Sequence, residues 1–294
     1  MFHVEHIILM NTKQFFLEVE DYSVSGEIFR LDYDLELDML ETIPQPSIDN
    51  ISQYYKSEDY ISHTDSKRNL FERVYHLVRA YSINQKIKLI NKHSTETKEL
   101  LDIGCGTGDF LLAAKNSGWI ITGIEPDLRA RTIANQKTGN RVHDKVVLEK
   151  LSESTFDVVT LWHVLEHLPD LEKQIKIISS LLKPCGTMIV AVPNFKSYDA
   201  KYYKQFWAAF DVPRHLWHFS KKSISLLFSK EELKLVETKP MKFDSYYVSL
   251  LSEKYKSGKM RIFKAFYRGW LSNNKAKGSG EYSSLIYVLK KHQK

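Results

Sequence analysis

Leu100-Leu101-Asp102-Ile103-Gly104-Cys105-Gly106-Thr107-Gly108-Asp109 is the stretch that decides the fold. An apolar run ends in a carboxylate, enters a glycine-rich turn and gives way to the helical Phe110-Leu111-Leu112-Ala113-Ala114. Glycines at such a turn admit positive φ and let a ligand lie against bare backbone beside a helix N-terminus. The usual ligand is a nucleotide phosphate, but two details point elsewhere. The dinucleotide fingerprint G-x-G-x-x-G needs a third glycine at position 109, which is Asp109. Asp102 sets a negative charge at the strand end, where a pyrophosphate is repelled and a cation is favoured. S-adenosylmethionine, with an ammonium, a sulfonium and no phosphate, meets that demand.

Working outward, residues 98–192 alternate strand and helix. Strands are expected at 99–103, 119–124, 156–161 and 187–192, with a weak one near 141–147. Helices are expected at 109–117, from an Asp127 cap to about Lys137, and from an Asp170 cap through Leu171, Ile175, Ile178 and Leu182 to Pro184-Cys185-Gly186. The near-continuous apolar run Phe156-Asp157-Val158-Val159-Thr160-Leu161 reads as a buried parallel strand. This rhythm predicts an α/β, Rossmann-like doubly wound sheet. Downstream come a loop (193–219), a helix capped by Ser220, a strand at 233–238, a basic aromatic segment (251–277) and a last strand at 284–289.

Upstream, residues 1–60 differ: acidic, with short alternating patches such as Phe29-Arg30-Leu31-Asp32-Tyr33-Asp34-Leu35 and turn signals at Ser25-Gly26 and Pro44-Gln45-Pro46. They read as a small β-rich appendage. Residues 61–97 read as a lead-in helix, with Leu70, Val74, Leu77, Val78 and Tyr81 at helical spacing. The remainder, 98–294, forms the main domain.

Of the 294 residues, 43% are hydrophobic, ample for a core, and the net charge of +6 is a mild excess spread along the chain. That balance does not by itself call for nucleic acid. Cys105 and Cys185 lie far apart, so neither a disulfide framework nor a CxxC metal pair is expected and a reducing cytoplasm is the natural setting. The opening Met1-Phe2-His3-Val4-Glu5-His6 lacks the basic-then-apolar pattern of a signal peptide.

Over roughly residues 65–294 the chain resembles class I S-adenosylmethionine-dependent methyltransferases. The matching motifs are LDIGCGTGDF (101–110), GIEPD (123–127), FDVVTLWHVLEHLPD (156–170) and LLKPCGTMIVAVPN (181–194), in order and at family spacings. The resemblance implies a seven-stranded sheet with a reversed last strand, supplied by 284–289. Within the family the chain is most similar to ubiquinone-pathway O-methyltransferases and bacterial cell-surface-glycan methyltransferases; the stretch DVPRHLWHFS (211–220) resembles the second sort. Relatives of that sort often begin with a zinc knuckle of CxxC pairs. Here Asp34 and Leu37 occupy the second pair's place, and His3 and His6 are poor substitutes. A degenerate, metal-free appendage is therefore expected.

The cofactor set expected from these motifs is Asp102, Gly104, Cys105, Gly106, Gly108, Glu125, Asp144 and Trp162. Asp102 would organise the amino group. Cys105 reads as a small loop residue and not a nucleophile. Glu125 stands 21 positions after Gly104, close to the spacing of about 20 residues for an acidic ribose ligand. Asp144 competes as an adenine acceptor with a plain exposed turn. Trp162 and His163 follow a strand that should lie beside the glycine turn. The resemblance would permit a divalent metal at His163, Glu166 and His167, but hydrogen bonding within the loop is the favoured reading and no metal is assigned.

For catalysis, His215, His218 and His163 are the candidates, with His215 preferred as the base that receives an acceptor proton. Arg214 is a candidate for holding an acidic group of the acceptor. A packed Pro-Arg-His turn competes with both assignments. The acceptor is expected to be small, glycan-like or lipid-linked, methylated at oxygen; rivals are a non-catalytic cofactor-binding protein and a nicotinamide dehydrogenase. Between 254 and 270, Lys254, Lys256, Lys259, Arg261, Lys264 and Arg268 interleave with Phe263, Phe266, Tyr267 and Trp270. Ile262, Phe266 and Trp270 recur at helical spacing, which favours packing on the protein's own core. Peripheral contact with anionic lipid stays open; nucleic acid is not expected, because no RNA-binding module accompanies the segment.

Overall fold

A computed structural model describes residues 12–47, 50–55, 70–94 and 97–292, with helix side chains described from 76 onward. His3 and His6 lie outside that set. The appendage is a meander of β1 (Lys13–Glu20), β2 (Ile28–Asp34) and β3 (Met39–Ile43). α1 (Leu70–Lys92) leads into β4 (Glu99–Ile103), α2 (Asp109–Asn116), β5 (Ile120–Ile124), α3 (Leu128–Thr138) and β6 (Val142–His143). Then follow β7 (Phe156–Trp162), α4 (Leu171–Ser180), β8 (Leu182–Pro193), α5 (Tyr198–Tyr203), β9 (Trp217–His218) and α6 (Lys221–Ser229). β10 (Leu233–Pro240), α7 (Asp244–Ser257), α8 (Ile262–Ser279) and β11 (Ser284–Lys291) complete the chain.

The main sheet has seven strands in the order β10-β11-β8-β7-β4-β5-β6. β4 pairs in parallel with β5 on one side and β7 on the other, while β11 runs antiparallel to both β8 and β10. The reversed last strand is therefore present. The chain changes direction of travel at β4, so the crevice of the sheet opens above the C-terminal ends of β4 and β7, where the glycine turn begins. Met188 to Val192 of β8 and Val158 to Leu161 of β7 are buried without interruption, as strands covered on both faces require.

Several local expectations are corrected. The region 141–147 forms only the two-residue β6 before a 3-10 turn (Lys145–Lys150). Leu182 opens β8 and does not close α4; Lys183 to Gly186 bulge out between the pairs Phe156–Leu182 and Val158–Thr187. Asp170 does precede α4, but its own φ is 48° and its side chain makes no cap bond. Asp127 and Ser220 do cap, accepting from the amides of Ala130 and Ser223. On α1, Leu77 and Tyr81 are exposed; Ile87, Leu89 and Ile90, one to three turns later, enter the core. Leu70 and Val74 lie outside the described side chains.

The appendage is not self-contained. β9, from the loop after β8, pairs with β3 and supplies a fourth strand. Val19, Phe29, Leu31 and Leu40 share one apolar cluster with Phe195, Tyr203, Trp207 and Phe210. At the β2–β3 turn, the Asp34 carboxylate accepts the amides of Glu36 and Leu37 at 2.9 and 2.8 Å, closing the turn.

Candidate active site

The glycine turn is held by two buried carboxylates. Asp102, next to last in β4, has its Oδ1 receiving the Thr160 hydroxyl at 2.6 Å, a bond across to neighbouring β7. Burial raises the Asp102 pKa to about 7 against the lowering effect of Thr160 and Lys86. Glu125, at the end of β5, accepts the Gly106 amide at Oε2 (2.8 Å) and the Asp127 amide at Oε1 (2.9 Å). Gly104, at φ 70°, packs so closely that a Cβ there would lie 2.3 Å from Cγ2 of Val164. Gly106, at φ 54°, has nothing within 4 Å of its Cβ position, so its backbone faces open space. Gly108, at φ 78°, approaches Ala134 of α3. Burial, with Asp102 and Glu125 adding to it, drives the Cys105 thiol far above its ordinary pKa and keeps it protonated. Asp144 pairs with Arg131 at 3.0 Å and accepts the Val146 amide. Arg131 also donates to the carbonyl of Glu125 at 2.6 Å, bracing the end of β5.

One residue of this crevice escaped the sequence reading. Lys86 of α1 places its ammonium 4.3 Å from the centroid of the Trp162 ring and 5.9 Å from that of Phe110. Burial lowers its pKa, while Asp102 and Asp244 oppose that shift. Trp162 and Phe110 meet edge to face at 5.6 Å. A lysine on an amphipathic helix carries no signal that separates it from a solvated one.

One turn beyond β7 lies a histidine cluster. His163, at φ 56°, sits between Glu166 (Nδ1, 3.4 Å) and Asp244 of α7 (Nε2, 3.2 Å). Burial opposes its charge, but the two carboxylates raise its pKa to about 10. With a carboxylate at each nitrogen, His163 latches the loop after β7 to α7. His215 has its Nδ1 2.9 Å from the Ala209 carbonyl, which only accepts, so Nδ1 carries a hydrogen; its Nε2 lies 3.9 Å from Oδ2 of Asp211. His167 is held likewise by the Arg214 carbonyl at 2.9 Å, and burial together with His215 lowers its pKa to about 4. The two rings meet edge to face at 4.6 Å.

Glu166 lies among these rings, 1% exposed, with its Oε1 paired to His163 Nδ1 at 3.4 Å and its Oε2 without a hydrogen-bond partner among the described residues. Burial works against its ionisation, yet His163, His215 and His167 hold its pKa below the ordinary value. Glu166 and His167 both tie the loop: the Glu166 carboxylate pairs with His163 and its backbone carbonyl accepts from Leu216, while His167 is held by the Arg214 carbonyl. Ligand atoms of Glu166, His167 and His215 lie within 4.8 Å of one another.

Two other expectations give way. Arg214 is buried with its guanidinium bonded to Asp21, Asp211 and the Tyr54 carbonyl, so its donors are spent within the fold and not offered to an acceptor. His218 sits in β9, 3.1 Å from the Thr42 hydroxyl and edge-on to Phe210, and burial holds its pKa well below the ordinary value. It braces the appendage. A separate cavity of about 540 Å³ lies between the appendage and α4, lined by Leu37, Met39, Asp170, Leu171 and Trp217 among others, away from the glycine turn.

The family model described as "Methyltransferase domain" matches residues 66–238. A ubiquinone biosynthesis O-methyltransferase of Coxiella burnetii is 33% identical over 129 residues, covering 41% of this chain and 53% of that protein. A sterol 4-C-methyltransferase of Caenorhabditis elegans is 32% identical over 122 residues, covering 37% of this chain and 36% of that protein. The chain thus spans about half the length of the ubiquinone-pathway relatives it matches. Among solved structures, a magnesium protoporphyrin IX methyltransferase from Synechocystis, with S-adenosylhomocysteine bound, superposes with a TM-score of 0.52 at 14% identity, covering 78% of this chain and 90% of the other. A putative sarcosine dimethylglycine methyltransferase from Galdieria sulphuraria gives 0.52 at 15% identity, with 75% and 88% covered. Taken with the strand order and the carboxylate-flanked glycine turn, the match places this chain in the class I S-adenosylmethionine-dependent methyltransferase family.

Proposed function

We propose that the chain transfers the methyl group of S-adenosylmethionine to an oxygen of a small or glycan-like acceptor, free or lipid-linked. The observation that carries this is the pairing of buried Asp102 and Glu125 on either side of the open Gly106 backbone. Each Glu125 oxygen accepts one backbone amide and retains a lone pair for a ribose hydroxyl. Asp102 and Lys86 put opposite charges at the other end of the crevice, suited to the ammonium and carboxylate of an amino-acid head. Phe110 and Trp162 supply an apolar wall. Two carboxylates beside the turn oppose a pyrophosphate, which argues against the nicotinamide reading.

S-adenosylmethionine supplies an electrophilic methyl group on a positively charged sulfur. The residues of this chain hold the reactants in line, an effect worth roughly 7–11 kcal/mol in well-aligned systems. Nε2 of His215 receives the acceptor's proton, and the buried Glu166 carboxylate offsets the charge that the ring then gains. Such general-base help is typically worth about 10²–10⁴-fold. An oxygen acceptor agrees with the printed activity of the ubiquinone-pathway relatives, although the sterol relative is named for a carbon acceptor.

The test has two steps. Calorimetry should show uptake of S-adenosylhomocysteine and indifference to NADH; the opposite result sinks the proposal. His215→Gln should then keep that affinity while lowering turnover by about 10²–10⁴-fold. Tight binding of S-adenosylhomocysteine with no methyl transfer to any acceptor pool would favour a non-catalytic role. A second reading is favoured by the buried Glu166 carboxylate beside two ring nitrogens: a divalent cation on Glu166, His167 and His215, with the Nδ1 atoms of both histidines facing backbone carbonyls as metal-bound histidines require. Loss of turnover in chelator, restored by Mg²⁺ or Zn²⁺, would select it.

A further inference from the structure

Helix α8 is amphipathic in an inverted sense. Its inward face is built of small residues, Ala265, Gly269, Ser272 and Ala276. They allow close packing on α7: a Cβ on Gly269 would lie 2.9 Å from Cα of Tyr246, and the Gly269 carbonyl accepts the Ser245 hydroxyl. The large apolar side chains point the other way. Phe263 is 94% exposed, and Met260, Ile262, Phe266, Tyr267 and Trp270 are between 47% and 55% exposed. Their helical spacing thus marks an outer face and not the core contact that periodicity alone predicts.

The charge around this face is of one sign. Residues 254–280 contain eight Lys and Arg and no Asp or Glu. Lys264 reaches back to Glu253 at 3.1 Å, and the Arg268 guanidinium lies 3.9 Å from the Tyr202 ring centroid. Lys259 and Arg261, at the turn before α8, are exposed and have no carboxylate at ion-pair distance among the described residues. A contiguous apolar patch of this kind is uncommon on a monomer and marks an interaction site.

From these faces we infer that α8 lies in the plane of an anionic lipid bilayer, with Phe263, Phe266, Tyr267 and Trp270 in the headgroup–acyl boundary and Lys259 and Arg261 on lipid phosphates. A bulky apolar face rimmed by Lys and Arg is the composition that such surface helices use. A second copy of this chain fits poorly, because a symmetric contact would set the two cationic clusters against each other. Nucleic acid fits less well too: beside its rings the face exposes Met260 and Ile262, aliphatic side chains that stack on no base and that a bilayer buries. Among the described residues no helix is long and apolar enough to cross a membrane, so the contact is peripheral. α7 carries α8, and its first residue Asp244 holds His163 at the crevice margin. The docked face therefore sits one helix away from the reaction site. The inference stands on α8 alone and does not depend on which acceptor is methylated.

The test is co-sedimentation of the full chain with vesicles of phosphatidylcholine, with and without phosphatidylglycerol. Binding to the anionic vesicles, weakened by salt, is expected. Phe263→Asp should lower that binding by about tenfold without moving the thermal midpoint, since Phe263 touches little of the fold. Lys259→Glu with Arg261→Glu should abolish the preference for phosphatidylglycerol. Wild-type protein that ignores anionic vesicles overturns the inference, as does binding that Phe263→Asp leaves unchanged. Binding of a single-stranded RNA oligonucleotide in place of vesicles, or dimerisation through α8 in solution without vesicle binding, overturns it equally.

Discussion

Nε2 of His163 lies 3.2 Å from Oδ2 of Asp244, so the loop after β7 is latched to the first turn of α7. The ring is stabilised in its charged form, with a pKa raised from 6.5 to about 10 by Asp244 and Glu166 against the opposing effect of burial. The folded state thus binds the proton more tightly than the unfolded chain. The stabilisation is complete below pH 6.5 and fades as pH rises through about 10. Thermal midpoints measured across that interval should fall more steeply for the wild type than for Asp244→Asn. Parallel curves would show that the latch contributes nothing.

Asp102 titrates in the opposite sense for ligand binding. Its raised pKa of about 7 means that the free protein carries a mixture of acid and carboxylate near neutrality. A cationic head group selects the carboxylate. Affinity for S-adenosylhomocysteine should therefore decline by up to about tenfold per pH unit below 7 and level off above it. Calorimetry on Asp102→Asn should give weaker and pH-flat binding. A sloping profile in that variant would assign the proton elsewhere.

The two glycines of the turn should separate folding from binding. Gly104→Ala drives a methyl group into Val164, where the ideal Cβ lies 2.3 Å from Cγ2, and should destabilise the chain by several kcal/mol. Gly106→Ala meets only open space and incurs just the cost of positive φ, about 1–2 kcal/mol, yet it fills the volume over the backbone. Urea unfolding should rank Gly104→Ala as the less stable variant, while S-adenosylhomocysteine binding should be lost in a folded Gly106→Ala protein.

Arg214 should be a stability residue. Arg214→Met leaves Asp21, 1% exposed, without its cation and should cost about 3–5 kcal/mol of unfolding free energy. Unchanged stability together with a raised KM for an acidic acceptor would return Arg214 to the substrate.

The glycine turn, the β4 and β5 carboxylates and the Asp127 and Ser220 caps were readable, because each depends on neighbours within a few residues; the reversed β11, which pairs with distant β8, came only from the family resemblance. What was not readable depends on distant partners. Asp21 lies 193 positions from Arg214, and nothing local to Pro213-Arg214-His215 announces that the guanidinium is already spent. Ile262, Phe266 and Trp270 have the spacing of a core face, but Ala265, Gly269 and Ser272 have an equally regular one. The small residues take the inside because α7 comes too close for a large one. Likewise Leu77 and Tyr81 have helical spacing but are exposed; among the described side chains of α1, the fully buried apolar ones are Ile87, Leu89 and Ile90.

The N-terminal sheet borrows its last strand from Trp217 and His218, and the Thr42 hydroxyl spans that seam to the His215 carbonyl at 2.7 Å. It is therefore not a cassette that recombination could exchange between lineages. A swapped β1–β3 would meet a foreign edge next to the very histidine assigned to the chemistry. A substitution in β3 therefore bears directly on the backbone that carries His215 and His218, and one in that loop bears on β3.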